Sequence, residues 1–370
     1  MNLVERQFLS LLRSGIHGTR PEAGLFQGTV AWDRLYAIAD AQAVVPVVTD
    51  GIDQMPAADK PPIEILEPFL ADTLATEMRN EALNRFARGI FRRINPSGRP
   101  ALMVKGQAVG RLYPDPRHRQ PGDIDILVLP RDYAAVKDLL VPKATTLDQE
   151  HSEILHQGMS FGSIEVEIHG TVSTLMSVRL DRKLAAMMED MFRREEFLVE
   201  DFGGEPVKTP SVLFDAVYIL VHFLHHYWSG GVGFRQLVDW GLFVTRHFDE
   251  IDRNALKSVL KDLGIFRLWQ TFAGLVVAHL GMDAARMPFH TDRYSRKYDG
   301  ILRYIFKSGN FGKNQPRESR EHSYLVRKIH SFWQLVVCDR LRHFPEFPTE
   351  SLRYFTGAFH YGLIRLSEGV

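Results

Sequence analysis

Two acidic residues lie two positions apart in the run DIDILVLP, at Asp123 and Asp125. The period of two along a β-strand predicts that their carboxylates project from the same face, about 7 Å apart. From Ile126 onwards the run is apolar on both faces, as in a strand buried centrally in a sheet, so we expect the acidic pair where the strand begins, opening into a cleft. Buried like charges are costly unless they are neutralised, and a divalent metal ion is the commonest remedy.

A second acidic run, IEVEIH from Ile164 to His169, alternates strictly. Glu165, Glu167 and His169 share one face of the predicted strand, and aliphatic residues share the other. A third carboxylate beside the first pair would complete an oxygen-rich set of the kind that Mg²⁺ prefers, or bridge two metal ions about 3.5–4 Å apart. Either Glu165 or Glu167 supplies it, unless both strands are ordinary sheet edges that face water.

The loop Lys105-Gly106-Gln107 follows the apolar run ALMV and leads into AVGRLY. A glycine between a strand and a helix lets backbone N–H groups approach a phosphate closely, and the start of a helix adds a favourable partial charge. Lys105 or Arg119 would then neutralise phosphate oxygens. The alternative is that Gly106 only forms a turn.

These segments, in this order, resemble the uncharacterised nucleotidyltransferase family of the DNA polymerase β-like superfamily. The resemblance rests on V-K-G, then on L-Y-P-D-P-R-H-R-Q-P-G-D-I-D-I-L-V, then on E-V-E-I-H, and it covers roughly residues 96 to 175. The segment HHYWSGGVGFRQLVDW is similar to the helical part of the family. The resemblance implies that Gly106 lies in a phosphate loop and that the metal ligands are Asp123, Asp125 and Glu167.

The resemblance also implies that Arg119 is the arginine that precedes the D-x-D pair. Gln107 departs from the pattern, because the superfamily usually has serine at that position. An amide still donates a hydrogen bond but reaches further than a hydroxyl. Lys105, Gly106, Gln107 and Arg119 are expected to bind the nucleotide, Lys105 and Arg119 at the triphosphate and Arg119 through its forked donors.

The implied reaction is in-line attack of an acceptor hydroxyl on the α-phosphorus of a nucleoside triphosphate, with release of pyrophosphate and with Mg²⁺ or Mn²⁺ as cofactor. Asp123 and Asp125 would hold the nucleotide-bound metal, and Glu167 would join a second metal and accept the hydroxyl proton. The acceptor is an unidentified small molecule or protein. Two alternatives remain: a non-catalytic protein that binds a nucleotide or a partner through the same fold, and a metal-dependent phosphohydrolase that uses the carboxylates with His222 or His226.

Five further residues are candidates for the acceptor side. His222 and His226 are four apart on one helical face, a spacing that can bind zinc, but the glutamate of HExxH is absent and packing is the alternative. Arg235 and Asp239 are also four apart, and they either pair on a helix surface, for about 0.2–0.5 kcal/mol, or face the substrate. His169 would orient a carboxylate, touch the nucleotide or make a structural hydrogen bond.

The elements that position these residues follow from periodicity. Apolar residues recur at helical spacing in residues 3–13 and from Trp32 to Ala43, before VVPVVTDGIDQMP is expected to break the pattern with proline and glycine. The segment from Ile63 to Ile94 predicts one or two helices. Short alternating runs between Pro96 and Pro210 predict strands, and helical patterns then continue to the C-terminus. The predicted class is α+β, a small mixed β-sheet nucleotidyltransferase core at 96–208 flanked by an N-terminal helical region at 1–95 and a C-terminal helical bundle at 209–370.

The charges balance, with 45 lysines and arginines against 45 aspartates and glutamates, so bulk binding of nucleic acid is not expected. The single cysteine, Cys338, lies in an apolar stretch, where we expect a core position in a reducing cytoplasm. The N-terminus lacks the pattern of a signal peptide, and no run of about 18 apolar residues is present. The sequence therefore predicts a cytoplasmic protein without a membrane span.

Overall fold

A mixed β-sheet carries the two acidic runs. The computed structural model describes residues 1–174, 176–314 and 341–367, and Cys338 lies outside these ranges. Within them the sheet has seven strands in the order β3-β4-β5-β2-β1-β7-β6. The strands are β1 Ala101–Val104, β2 Ile124–Val128, β3 Thr146–Leu147, β4 His156–Phe161, β5 Ile164–His169, β6 Phe197–Asp201 and β7 Pro206–Pro210.

Strand β2 is central, as the sequence predicts, and all of its residues are buried. It pairs antiparallel with β1 and parallel with β5, and the two registers set Val104 and Glu167 opposite Asp125. Strand β5 also forms a hairpin with β4, in which His156 pairs with His169. The acidic residues of β2 and β5 therefore lie on neighbouring strands in the middle of the sheet.

Among the described residues, the N-terminal region consists of the helices α1 Leu3–His17, α2 Trp32–Ala41, α3 Val45–Asp53 and α4 Ile63–Ile94. The predicted break at VVPVVTDGIDQMP is wrong, because most of this segment forms α3. Pro46 lies in the first turn of α3, where a backbone N–H would have no helical partner in any case. Gly51 is required by packing, since a Cβ there would overlap the carbonyl oxygen of Leu11 in α1.

Further helices lie between the strands and after the sheet. They are α5 Gly106–Gly110, α6 Pro130–Leu140, α7 Val178–Arg193, α8 Val212–Trp228, α9 Phe234–Arg246, α10 Arg253–Asp262, α11 Phe266–Leu280, α12 Tyr298–Ser308 and a final helix at Pro348–Ser367. The predicted α+β class, with helices flanking a mixed sheet, is confirmed. Of the helices that the structure describes, none combines the length and the apolar character needed to traverse a bilayer.

One hydrophobic core joins the helical regions to a face of the sheet. It extends from Phe8 in α1 through Leu102 and Leu127 in the sheet to Phe223 in α8 and Trp269 in α11. The other face of the sheet packs in a second core with residues of α4 and α6. Because the helices share a core with the sheet, the division into residues 1–95, 96–208 and 209–370 stays a prediction.

His118 anchors the loop before β2 to the N-terminal helices. Its Nδ1 lies 2.8 Å from a carboxylate oxygen of Asp50 in α3, and its Nε2 lies 2.9 Å from Glu77 Oε1 in α4. Asn80 of α4 adds a hydrogen bond of 2.8 Å from its side-chain amide to the carbonyl oxygen of Arg119. The hydrogen bonds with Asp50 and Glu77 outweigh burial and raise the pKa of His118 to about 9.

We expect His118→Gln to lower the free energy of unfolding by about 1–2 kcal/mol below pH 6.5. This value is smaller than the full pKa shift would give, because solvent screens the half-buried side chain. Because folding raises the pKa of His118, its stabilising contribution is complete below pH 6.5 and is lost as the pH rises through about 9. Urea unfolding on either side of this window measures the difference, with His360→Gln at an exposed position as the control. An equal loss of stability on both sides would contradict the assignment.

Candidate active site

A cavity of about 420 Å³ opens between the acidic strands and the helices α8 and α9. Residues of the sheet region and of the C-terminal helices line this cavity. Of the site residues predicted from the sequence, all but Gln107 belong to the lining. The predicted residues in its lining are Lys105, Gly106, Arg119, Asp123, Asp125, Glu167, His169, His222, His226, Arg235 and Asp239. The structure thus brings the candidates for metal and nucleotide binding and the candidates for the acceptor side into one site.

The three carboxylates converge in this cavity. One oxygen from each of Asp123, Asp125 and Glu167 lies within 4.8 Å of the others. The parallel register of β2 and β5 is responsible, because it sets Asp125 beside Glu167. Glu165 is exposed instead, and its carboxylate accepts a hydrogen bond of 2.7 Å from Ser160 Oγ. It is therefore Glu167, rather than Glu165, that lies with the two aspartates.

Three basic side chains contact the carboxylates. Lys105 Nζ and His169 Nε2 each lie 2.8 Å from Asp125 Oδ1. His156 Nε2 lies 3.1 Å from Glu167 Oε2. The repulsion among the acidic groups is therefore offset within the protein itself.

The pKa values follow from these contacts. Burial would raise the pKa of Asp125, but the charge of Lys105 and the hydrogen bond with His169 lower it overall. Repulsion from Asp125, together with burial, raises the pKa of Asp123 to about 6. Burial would lower the pKa of Lys105, but the charges around it, with Asp125 first, raise it overall. Charge compensation is therefore concentrated at Asp125.

The predicted loop between a strand and a helix is present at Lys105 and Gly106, where β1 ends and α5 begins. Both residues have a positive φ, 56° and 36° respectively. A Cβ at Gly106 would lie only 3.2 Å from the carbonyl oxygen of Asp123, so glycine allows the loop to pass close to the start of β2. This close approach places Lys105 within reach of Asp125.

Gln107 lies outside the cavity lining. Its amide nitrogen donates hydrogen bonds to Asn84 Oδ1 at 2.8 Å and to Asn80 Oδ1 at 3.2 Å, both in α4. The amide is thus bonded to α4, and a role of Gln107 in nucleotide binding stays a prediction. A buried amide needs hydrogen-bond partners, and α4 supplies them.

A buried ion pair joins the loop before β2 to α9. Arg119 donates from Nε and Nη2 to the two carboxylate oxygens of Asp239 at 2.8 Å each, and Tyr113 donates to the same carboxylate at 2.7 Å. The alternative that Arg235 and Asp239 pair on a helix surface is wrong, because both are buried and Asp239 binds Arg119. Arg235 donates instead from Nη1 to the carbonyl oxygen of Gln120 at 2.8 Å.

One face of α8 brings two histidines into the cavity. Nε2 of His222 lies 3.1 Å from Nε2 of His226, and burial lowers the pKa of both well below the ordinary value. The ring of His226 also contacts the ring of Phe311, at a centroid distance of 4.7 Å. Within the described residues, neither histidine belongs to a group of three side chains that could hold a metal ion.

His156 is the functional candidate that the sequence did not reveal. Its side chain lines the cavity because the β4–β5 hairpin pairs it with His169. The sequence does contain a hairpin signal, the pair Gly162-Ser163 in SFGSI. Gly162 adopts a φ of 65° in the turn, and this turn sets the register that pairs His156 with His169. Tyr218 and Phe311 also line the cavity, and their positions depend on the packing of distant helices.

Comparison with known proteins identifies one family. A family described as "uncharacterised nucleotidyltransferase" matches residues 28–281 of the chain. Among curated proteins, no significant match is found. Among solved structures, an antigenic nucleotidyltransferase-like protein from Paracoccidioides brasiliensis has 12% sequence identity and a TM-score of 0.33, over 54% of this chain and 93% of that chain.

We expect Asp239→Asn to lower the free energy of unfolding by about 3–5 kcal/mol, because it leaves the guanidinium of Arg119 buried without its counter-charge. Denaturant unfolding of the variant and the wild type measures this loss. Asp249→Asn is a matched control, since Asp249 pairs with Arg286 at the surface, where an ion pair contributes about 0–1 kcal/mol. Similar losses in the two variants would contradict a dominant role for the buried pair.

Proposed function

Because the chain belongs to the uncharacterised nucleotidyltransferase family, we propose that it transfers a nucleoside monophosphate from a nucleoside triphosphate to a hydroxyl acceptor, with release of pyrophosphate. The observation that carries this proposal is the convergence of Asp123, Asp125 and Glu167 in one cavity. At about 420 Å³ the cavity has the size of a small-molecule site. The acceptor that we propose is a small molecule or a side chain of another protein.

The three carboxylates suit a divalent metal ion. Their oxygens lie within 4.8 Å of one another, and oxygen ligands are those that Mg²⁺ and Mn²⁺ prefer. Such an ion, when bound, would offset the charge of the triphosphate and of the departing pyrophosphate. In this proposal Asp123 and Asp125 hold the ion that accompanies the nucleotide, and Glu167 belongs to a second position.

Cationic side chains in the same lining suit the triphosphate. These are Lys105, Arg119 and Arg235. Arg119 Nη1 and Arg235 Nε are buried and have no hydrogen-bond partner among the described residues. Buried donors without partners are costly, and phosphate oxygens would satisfy both. We therefore assign the triphosphate to the side of the cavity that the two arginines line.

Glu167 is more accessible to an acceptor than Asp125 is. Its side chain is 34% exposed, whereas that of Asp125 is 4% exposed. A general base must lie within hydrogen-bond reach of the proton that it removes, and only an accessible group meets this condition. In this proposal an acceptor hydroxyl approaches Glu167, while His222 and His226 contact the rest of the acceptor.

Two other functions would use the same cavity. A non-catalytic binding protein is favoured by the contacts of Lys105 and His169 with Asp125, because internal cations already offset the acidic cluster. A phosphohydrolase would need histidines near the carboxylates, and His222 and His226 line the same cavity as Asp123. The products formed from a nucleoside triphosphate distinguish these functions from nucleotidyl transfer.

We expect the nucleoside triphosphate to bind only in the presence of Mg²⁺ or Mn²⁺. Its affinity should be at least about tenfold weaker in Glu167→Gln, because the ion at the second position, which helps to offset the charge of the triphosphate, loses a ligand. Isothermal titration calorimetry measures this difference. Glu165→Gln is the matched control, since it makes the same change on the same strand at an exposed position. Equal effects of the two substitutions would remove Glu167 from the proposed site.

Analysis of the products completes this test. Pyrophosphate release that depends on a hydroxyl acceptor would support nucleotidyl transfer. Inorganic phosphate released without an acceptor would favour the phosphohydrolase, and tight nucleotide binding without turnover across an acceptor screen would favour the binding protein. Asp123→Ala combined with Asp125→Ala should abolish whichever reaction is found.

A further inference from the structure

Two histidines lie against Glu167, on the side of the acidic cluster formed by the β4–β5 hairpin. His156 begins β4 and His169 ends β5, and the antiparallel register pairs them directly. Their ring centroids are 4.9 Å apart, and both side chains line the cavity. Neither histidine has a role in the proposed function.

The distances around Glu167 suit a shared ion. His156 Nε2 and His169 Nε2 lie 3.1 Å and 3.4 Å from Glu167 Oε2, and the same nitrogen of His169 lies 2.8 Å from Asp125 Oδ1. Ligand atoms about 2.1 Å from an ion and at right angles to each other are separated by about 3 Å. Both histidine nitrogens therefore lie at about the distance from Glu167 Oε2 that separates neighbouring ligands of one ion, and the three ligand atoms lie within 4.8 Å of one another.

The donor types separate this group from the carboxylates. Glu167 belongs to two groups of side chains that could hold an ion, one with Asp123 and Asp125 and one with His156 and His169. The first group offers only oxygen, which Mg²⁺ prefers. The second offers two imidazole nitrogens, which favour first-row transition metals over Mg²⁺.

We propose that His156, His169 and Glu167 form a second metal position that takes a first-row transition-metal ion in preference to Mg²⁺, with Mn²⁺ as the paramagnetic probe that reports it. It lies beside the carboxylate position and shares Glu167 with it. The proposal rests on the proposed function for the role of the ion in transfer, but occupancy of this position can be measured without nucleotide. The opposing case is that both histidines only donate hydrogen bonds to the carboxylates.

Electron paramagnetic resonance of the wild-type protein titrated with Mn²⁺ alone tests the proposal. We expect two ions per chain, of which excess Mg²⁺ displaces only one. Pulsed measurements on the retained Mn²⁺ should show hyperfine coupling to nitrogen, because imidazole is its ligand. Displacement of both ions alike, or a retained ion without nitrogen coupling, would overturn the proposal, and neither result depends on the folding of a variant.

Substitutions assign the signal to residues. His156→Gln combined with His169→Gln should remove the retained ion and its nitrogen coupling while the other ion still binds, and Asp123→Asn should have the opposite effect. His247→Gln is the control, since His247 lies outside the cavity and contacts Glu250. Nitrogen coupling that persists in a folded double variant would overturn the proposal.

The outcome of the nucleotide experiments does not depend on the outcome of the Mn²⁺ titration. Nitrogen coupling in a protein that binds no nucleoside triphosphate would support the histidine position and contradict the proposed function. Metal-dependent nucleotide binding without nitrogen coupling would support the proposed function and contradict the histidine position.

Discussion

The site depends on one constraint, the repulsion among three carboxylates whose oxygens lie within 4.8 Å of one another in a partly enclosed cavity. The protein offsets this repulsion mainly at Asp125, which contacts both Lys105 and His169. This explains why Lys105 adopts a positive φ, which is uncommon for a residue with a Cβ. Such a conformation costs about 1–3 kcal/mol, whereas a buried charge without its partner costs about 3–5 kcal/mol, so the ion pair outweighs the backbone strain.

A second ion pair sets the position of the helices relative to the sheet. Arg119 and Asp239 are 120 residues apart in the sequence, yet they form two hydrogen bonds of 2.8 Å in a buried environment. The loop that carries Arg119 is also bonded to α4 through Asn80. The shared core and these bonds therefore connect the helices to the sheet around the cavity. The cationic and acidic sides of the site are therefore positioned by long-range contacts.

This division between local and long-range effects explains what the sequence predicted. Strand periodicity correctly predicted β2 and β5, because side chains alternate along a strand whatever surrounds it. The same periodicity could not choose between Glu165 and Glu167, since they share a face and only the pairing of β5 with β2 separates them. Strand β7 was not predicted because proline stands at both of its ends. The spacing of Arg235 and Asp239 could not choose between a surface pair and a position facing the cavity. A buried forked pair of Asp239 with Arg119 outweighs a surface helix pair of a few tenths of a kcal/mol.

The position of Lys105 links metal binding to nucleotide binding. Its ammonium lies 2.8 Å from Asp125 and 5.9 Å from the centre of the Tyr218 ring. A divalent ion at Asp125 would repel this ammonium, which would then need another anion within the cavity, and a triphosphate would supply one. Binding of the metal ion would thus increase the affinity for the triphosphate. Because such coupling is reciprocal, the triphosphate would increase the affinity for the metal ion by the same factor. If the carboxylates took up no metal ion, Lys105 would stay on Asp125 and nucleotide affinity would not depend on the metal, so the strength of this coupling reports whether Asp125 holds an ion.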